Sequence, residues 1–255
     1  MGFLFVTINY MDKPYLSLII PSYNEEKRIG RTLGRIKEYL SAQNYTYEVL
    51  VVVDGAKDKT AEVAESFAKN WTAFRIINNK ENHGKGFVVR QGMLEAKGEY
   101  RVFTDADNST DVRHLEKIIA KFKTGLEIVI GSRDYKDAIG ATQAIPQVWF
   151  KRWLGNMGNL FIQLVAVSGI WDTQAGFKGF SAAAAQKIFS KTTINRWGFD
   201  VEALALARKF GYKIAIIPIY WENDAESHVK LSGYFGVLRD VVKIRLNLLS
   251  GKYDS

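Results

Sequence analysis

An α/β fold with a mostly parallel central sheet flanked by helices is what this sequence predicts, on two observations. Short runs that are apolar at nearly every position alternate with stretches whose apolar residues recur at helical spacing. Runs of that kind belong to strands covered on both faces, the setting of a parallel sheet with helices on either side. At 255 residues the chain fits one large domain or two small ones, with a sizeable core.

Leu16–Ile20 (LSLII) reads as the first buried strand, stopping at Pro21, and Pro21–Glu26 (PSYNEE) as a loop. A helix follows, with Ile29, Leu33, Ile36 and Leu40 on one face. Glu48–Val53 (EVLVVV) is a second buried strand, ending in Asp54-Gly55. Helix Lys59–Ala68, strand Phe74–Ile77, polar loop Asn78–Gly86 and helix Phe87–Ala96 come next. Strand Tyr100–Thr104 runs into Asp105 and Asp107; helix Val112–Phe122 and strand Glu127–Ile130 complete the alternation. The second half is less regular. Gln147–Val167 reads as a long helix with Lys151 and Arg152 near its start, and Trp171–Phe180 (WDTQAGFKGF) as a site loop. Ala182–Phe189 is helical, Phe199–Phe210 is a helix after an Asn195–Gly198 turn, and Tyr212–Trp221 is a strand. Glu222–Lys230 is a polar loop, and Tyr234–Leu249 an amphipathic helix carrying Arg239, Lys243 and Arg245.

Composition removes several classes of function. There is no cysteine, which excludes disulfides and thiolate metal sites. His83, His114 and His228 lack zinc spacing. The formal charge of +8 favours anionic partners: nucleotides, phospholipid surfaces or nucleic acid. No nucleic-acid reader motif accompanies the charge, so nucleic acid is not expected as a partner. No stretch reaches the ~18–20 apolar residues of a membrane span. Met1–Met11 is apolar but short, without the basic start or cleavage site of a signal peptide. The first strand runs into PSYNEE, not G-x-G-x-x-G; Gly84, Gly86 and Gly92 come later at other spacing, and a P-loop is absent.

The chemistry centres on Asp105 and Asp107. Side chains at i and i+2 of an extended segment share a face. Two carboxylates so placed repel unless a cation lies between them or one is protonated. Oxygen ligands of this kind suit Mg²⁺ or Mn²⁺; the competing reading is a strand-end turn with an acidic helix cap. In open parallel sheets ligands bind at the carboxyl ends of the strands. Those ends carry Pro21–Glu25, Asp54-Gly55, Asp105–Asp107 and Gly131–Arg133, so all fall on one rim. The set fits metal-assisted transfer from a nucleotide sugar. Tyr23 would stack a base, Asn24, Glu25 and Asp54 would hydrogen-bond ribose or base, and the two acids would hold the ion. Helix capping for Asn24-Glu25 and loop packing for Tyr23 are the plain alternatives.

PSYNEE after the first strand, DG after the second, DAD after the fourth and the following GSR together resemble the family 2 glycosyltransferases, whose fold is the Rossmann-like GT-A fold. FTDADNSTD, DTQAGFKGFS, RWGFDVE and WENDAESHVK resemble the dolichyl-phosphate β-glucosyltransferase branch, whose neighbour is dolichyl-phosphate mannose synthase. The resemblance covers roughly Leu16–Lys230. A GT-A catalytic domain is expected over 1–230, and the amphipathic pattern marks 231–255 as a tail suited to a membrane interface. The resemblance implies that Pro21, Tyr23, Asn24, Glu25 and Asp54 line the nucleotide pocket. Asp105, Ala106 and Asp107 would meet the diphosphate, the two acids with Mg²⁺ or Mn²⁺. Arg133, Arg152 and Lys230 would meet phosphates of donor or acceptor; Lys85 would do likewise unless it is a solvated loop lysine. Gln174, Gly176 and Lys178 would lie beside the sugar. Eukaryotic members of the branch carry an N-terminal membrane helix, where this chain has the short Met1–Met11 run.

The implied acceptor is a polyprenyl or dolichyl phosphate, reached from the cytoplasmic face of a membrane by peripheral contact. A phosphomonoester, with a second pKa near ~6, is already largely anionic at neutral pH and needs no side chain to remove a proton. Attack at the anomeric carbon would invert configuration and give a β-linked product. UDP-glucose is the favoured donor, with GDP-mannose as the alternative. A sugar-hydroxyl acceptor would need a general base; Asp200 and Glu202 are the candidates, against an orienting or structural role for both. A nucleotide-sugar-binding protein without turnover is the non-enzymatic alternative. Tyr234–Leu249 suits an interfacial anchor, with Leu160–Trp171 assisting; packing on the domain or a dimer contact is the alternative for both.

Overall fold

The computed structural model describes residues 13–143, 158–222 and 231–254. Met1–Met11, Arg152, Lys230 and most of the 222–230 loop lie outside them, as does the start of the expected 147–167 helix. The elements run β1 (Leu16–Ser22), α1 (Ile29–Ser41), β2 (Tyr47–Asp54), α2 (Thr60–Ala68), β3 (Phe74–Asn79), α3 (Lys85–Glu95) and β4 (Tyr100–Thr104). A 3₁₀ turn (Val112–His114) leads into α4 (Leu115–Phe122), followed by β5 (Ile128–Ser132) and a two-residue β6 (Thr142–Gln143). Residues 158–165 form helix α5. Then come β7 (Phe177–Ser181), α6 (Ala182–Phe189), α7 (Phe199–Lys209), β8 (Ile214–Pro218), β9 (Tyr220–Trp221) and α8 (Leu231–Leu249).

The seven-stranded sheet has the order β3-β2-β1-β4-β7-β5-β8. All neighbours pair parallel except β7, which is antiparallel to both β4 and β5. Period-2 alternation divides each strand between two cores. Leu50 and Val52 of β2 face one core with α3, α6 and α7, while Val49, Val51 and Val53 face the other with α1 and α4. That two-sided burial is why the strands read as unbroken apolar runs.

Two expectations change. Trp171–Phe180 is not one loop: Phe177–Phe180 belongs to β7, in the middle of the sheet. Its FKGFS sequence is short, and Lys178 in a strand normally marks a solvent face, yet Lys178 is fully buried. The Tyr212–Trp221 strand is two strands, because β8 pairs with β5 whereas β9 leaves the main sheet to pair with β6. Since β7 runs antiparallel, its amino end lies with the carboxyl ends of its neighbours: Phe177 is opposite Thr104, and Lys178 opposite Ile130. The 171–176 loop therefore arrives at the same rim as the acid pair.

Candidate active site

The rim begins at β1. Pro21 is buried in the strand, opposite Val52. Tyr23 is 39 % exposed beside it. Asn24 takes a positive φ of 54°, which asparagine tolerates because its side chain bonds locally. Its Oδ1 accepts from the Lys57 amide at 2.9 Å, tying the β1 loop to the β2 loop. Glu25 reinforces that tie, its amide donating to Thr60 Oγ1 at 2.6 Å, while its carboxylate grips Arg28 at 2.7 Å. Asp54, at the end of β2, is buried. It accepts from the His83 and Gly84 amides, both at 2.8 Å, and from Asn82 Nδ2 at 3.0 Å. Gly84 has φ 103°, a conformation that a side chain would strain. Asp54 thus holds the loop that opens α3 and delivers Lys85.

Asp105 and Asp107 follow β4. Lys85 Nζ meets Asp105 Oδ1 at 2.5 Å, and the same ammonium lies 5.7 Å from the Trp197 ring centre. A side chain at Gly176 would collide with the Asp105 carboxylate, so the 171–176 loop closes directly over the acid. Asp107 accepts from the Ser109 amide at 2.9 Å. Burial first, then the charge of Asp105, pushes the Asp107 carboxyl above the usual range. Ala106, between the acids, is buried, and its carbonyl accepts from Thr32 Oγ1 at 2.7 Å. Burial opposes the charge on Lys85, but Asp105, Asp200 and Asp107 outweigh it and raise its pKa.

The opposite wall is built from ion pairs. The backbone amide and Nε of Arg133 donate to Asp172 Oδ2 at 2.8 and 2.7 Å, and a terminal guanidinium nitrogen reaches Oδ1 at 2.8 Å. Its guanidinium also stands 5.2 Å over the Trp221 ring. Burial would raise Asp172, yet the Arg133 charge and hydrogen bonds win and hold it below the usual range. Asp137 seats this arm, accepting from Ser132 Oγ and from the amides of Trp171 and Asp172 at 2.7–2.8 Å. Lys178 Nζ donates to Asp200 Oδ1 at 2.6 Å and to the Ala175 carbonyl. Side-chain exposure in that pair is 0 % and 6 %. Burial pushes Asp200 up, and the Lys178 charge offsets this only in part. Gln174 Nε2 lies 3.4 Å from the Trp197 carbonyl. Glu202 is committed elsewhere, accepting from Thr193, Ile194 and the Tyr253 hydroxyl.

The fold thus brings Lys85, Asp105, Asp107, Arg133, Gln174, Lys178 and Asp200 to one end of the sheet. Sequence reasoning missed Asp172, Trp197 and Asp137. Arg133 and Asp172 are 39 residues apart, and only the place of β7 in the sheet joins them. The acid pair suits a hard divalent cation: its donors are all oxygen, and burial together with the neighbouring Asp105 charge raises the Asp107 carboxyl, which a cation would relieve. Among the described residues no cluster of three or more His, Cys, Asp or Glu surrounds a common point. The remaining ligands would be diphosphate oxygens and water, the usual coordination of Mg²⁺.

The family model described as glycosyl transferase family 2 matches residues 17–189, which span the rim from β1 to α6. The chain belongs to the family 2 glycosyltransferases. A dolichyl-phosphate beta-glucosyltransferase of Trichomonas vaginalis is 35 % identical over 242 residues, covering 91 % of this chain and 73 % of that protein. The Homo sapiens dolichyl-phosphate beta-glucosyltransferase is 34 % identical over 252 residues, covering 93 % and 77 %. Among solved structures, this glycosyltransferase is similar to glucosyl-3-phosphoglycerate synthase of Mycobacterium tuberculosis in complex with Mn²⁺, UDP and phosphoglyceric acid. The TM-score is 0.66 at 16 % identity, covering 94 % of this chain and 78 % of that one. Staphylococcus aureus TarS in complex with UDP-GlcNAc gives a TM-score of 0.57 at 18 % identity, covering 91 % and 66 %. At that identity the likeness establishes the GT-A fold.

Proposed function

We propose that this glycosyltransferase moves a hexose from a nucleotide sugar to a polyprenyl or dolichyl phosphate, with inversion, glucose and UDP-glucose being favoured. The observation that carries the acceptor's class is the engagement of the carboxylates. A hydroxyl acceptor needs a general base, yet Asp200 is paired with Lys178, Asp172 with Arg133, and Glu202 with the 193–194 loop and Tyr253. A phosphate acceptor needs none, since its oxygen is already anionic. What it needs is positive charge to offset the meeting of two anions, and Lys85 and Arg133 provide it. A guanidinium has five N–H donors. The Asp172 fork takes two, and the reading assigns the others to phosphate. Arg152 and Lys230 are given the same task. Tyr23, Asn24, Glu25 and Asp54, with the backbone of Pro21, would shape the nucleotide pocket, and Gln174 would face the sugar. Mg²⁺ or Mn²⁺, held by Asp105 and Asp107, would neutralise the departing diphosphate.

The names of the relatives support the sugar and the acceptor, and the ligands of the solved neighbours support uridine and Mn²⁺. The test is transfer from UDP-glucose to a polyprenyl phosphate, with the anomeric configuration of the product read by NMR. Asp107→Ala should lower turnover about 10³-fold without lowering the melting temperature. Full activity of that variant, or of wild type in excess chelator, would sink the metal assignment. Faster transfer from GDP-mannose would move the reading to a mannose synthase; UDP binding without turnover would make the chain a binding protein.

A further inference from the structure

Helix α8 has two apolar faces, and among the described residues only one is covered. Val237, Val241 and Ile244 are buried in the core shared with α3, α6 and α7. Phe235, Val242, Leu246 and Leu249 are exposed at 70, 44, 60 and 69 %. At 3.6 residues per turn these four fall within a stripe about 60° wide, opposite the buried face. Exposed Arg239 and Lys243 border the stripe on one side, and exposed Arg245 on the other. Packing among the described residues gives such a helix no reason to carry Phe, Val and two Leu in register on its outward side. An apolar stripe between basic borders is the pattern of a helix lying in the plane of a lipid interface, where aliphatics enter the acyl boundary and lysine and arginine meet anionic headgroups.

We infer that the outward face of α8 docks this protein on an anionic phospholipid surface. The inference takes its purpose from the lipid-phosphate reading above, while its geometry rests on α8 alone. Helix α8 is also joined to the catalytic rim. A side chain at Gly198 would stand 2.5 Å from Asp240 Cβ, so α8 presses directly on the turn that opens α7. That turn carries Trp197, whose ring Lys85 faces, and leads into Asp200 of α7, which Lys178 grips. A bilayer on the outward face of α8 would therefore lie about one helix diameter, ~10–12 Å, from the turn that carries Trp197, which keeps the site within reach of an acceptor whose phosphate sits at the headgroup level. Charge complementarity selects the lipid occupant over a second copy of the chain. Two such faces would bring Arg239, Lys243 and Arg245 of one copy against those of the other, and like charges at an interface are costly.

The experiment is flotation of the full chain with vesicles of phosphatidylcholine plus phosphatidylserine, against phosphatidylcholine alone. Wild type should float with the anionic vesicles. Phe235→Ser with Leu246→Glu should cut the bound fraction about tenfold or more. Arg239→Glu with Lys243→Glu should cut it at least about fivefold and abolish the preference for phosphatidylserine. Both variants should keep the wild-type melting temperature and full transfer to a short, water-soluble polyprenyl phosphate, while losing transfer to dolichyl phosphate embedded in vesicles. Flotation of the variants equal to wild type, or a wild type that stays off anionic vesicles, overturns the inference. So does a dimer, seen by light scattering, that Leu246→Glu dissolves. Vesicle binding that obeys these variants with no transfer to the soluble acceptor leaves the docking face standing and overturns the functional reading instead.

Discussion

On one side of the rim, the β1, β2 and β4 ends, side chains are placed by the backbone. Parallel pairing sets Ser22 opposite Val53, one residue before Asp54, and Phe103 opposite Ile19, one residue before Thr104, so the three strands end toward one edge, and short loops add Tyr23, Asn24, Asp105 and Asp107. The other side, built from the ends of β5 and β7 and the start of α7, is placed by buried charge. Arg133 is forked onto Asp172, Lys178 is sealed with Asp200, and Glu202 gathers the 193–194 loop and Tyr253. Backbone placement is cheap and local. Placement by ion pairs is costly, because burying two charges repays its desolvation only when the geometry holds. The second side should therefore be the fragile one, and its fragility should show in stability before it shows in chemistry.

The largest effect falls on Lys178. Lys178→Met leaves the Asp200 carboxylate buried without its partner, and breaking such a pair costs about 3–5 kcal/mol. Chemical denaturation should read that loss. The double variant Lys178→Met, Asp200→Leu should recover most of it, since an apolar pair of similar volume is close to neutral. If Lys178→Met costs under about 1 kcal/mol, the pair behaves as a surface pair and the distinction between the two sides collapses.

The next effect separates charge from shape at Asp172. Asp172→Asn keeps the volume and removes the charge that aims Arg133. Loss of a charge-assisted fork of this kind is worth about 1.5–3 kcal/mol. Turnover should fall roughly 10–100-fold, with the acceptor KM rising more than the donor KM. The pH dependence has a definite sign. Burial pushes Asp172 up and Arg133 pulls it further down, so its folded pKa lies below the unfolded value of about 3.9. A carboxylate depressed in the folded state contributes stability that is present above the unfolded pKa and is lost as pH falls through the folded one. The stability gap between wild type and Asp172→Asn should be level from neutral pH to about pH 5 and close only below it. A gap that widens in acid would contradict the Arg133 contact.

The same contrast explains what was legible in the sequence. The first side was readable because period and turn chemistry are local signals: LSLII and EVLVVV declare buried strands, and the acids stand two residues apart at the end of a third. Asp54 was found, but its grip on Asn82, His83 and Gly84 was not, because it reaches about 30 residues along the chain. On the second side periodicity misleads. Lys178 looks like a solvent-facing residue of a glycine-rich loop, yet it is a core residue, because Asp200 and the Ala175 carbonyl neutralise and bond it. Nothing in the linear order pairs Arg133 with Asp172. An antiparallel strand inserted between β4 and β5 is invisible to a reading that expects parallel units throughout.

The smallest effect sharpens the contrast from the other direction. Thr32 lies on the buried face of α1, 2 % exposed. Its hydroxyl is 2.7 Å from the Ala106 carbonyl and 3.2 Å from that of Arg28. One hydroxyl donates one proton at a time, and the shorter contact is the stronger. The bond therefore runs from a helix on one face of the sheet to the peptide between the two acids, a tether on the backbone of that segment where Lys85 holds the Asp105 side chain. Thr32→Val removes it and leaves the Ala106 carbonyl buried without that donor, at a cost of about 1 kcal/mol, a fall of about 2–4 °C in melting temperature. Asp105 is still gripped by Lys85 and roofed by Gly176, and Asp107 still accepts from Ser109. The Mn²⁺ concentration for half-maximal activity should therefore rise less than about threefold. A tenfold rise would mean that the acids depend on a remote polar bond as Arg133 depends on Asp172, and the two sides of the rim would then be held by one principle.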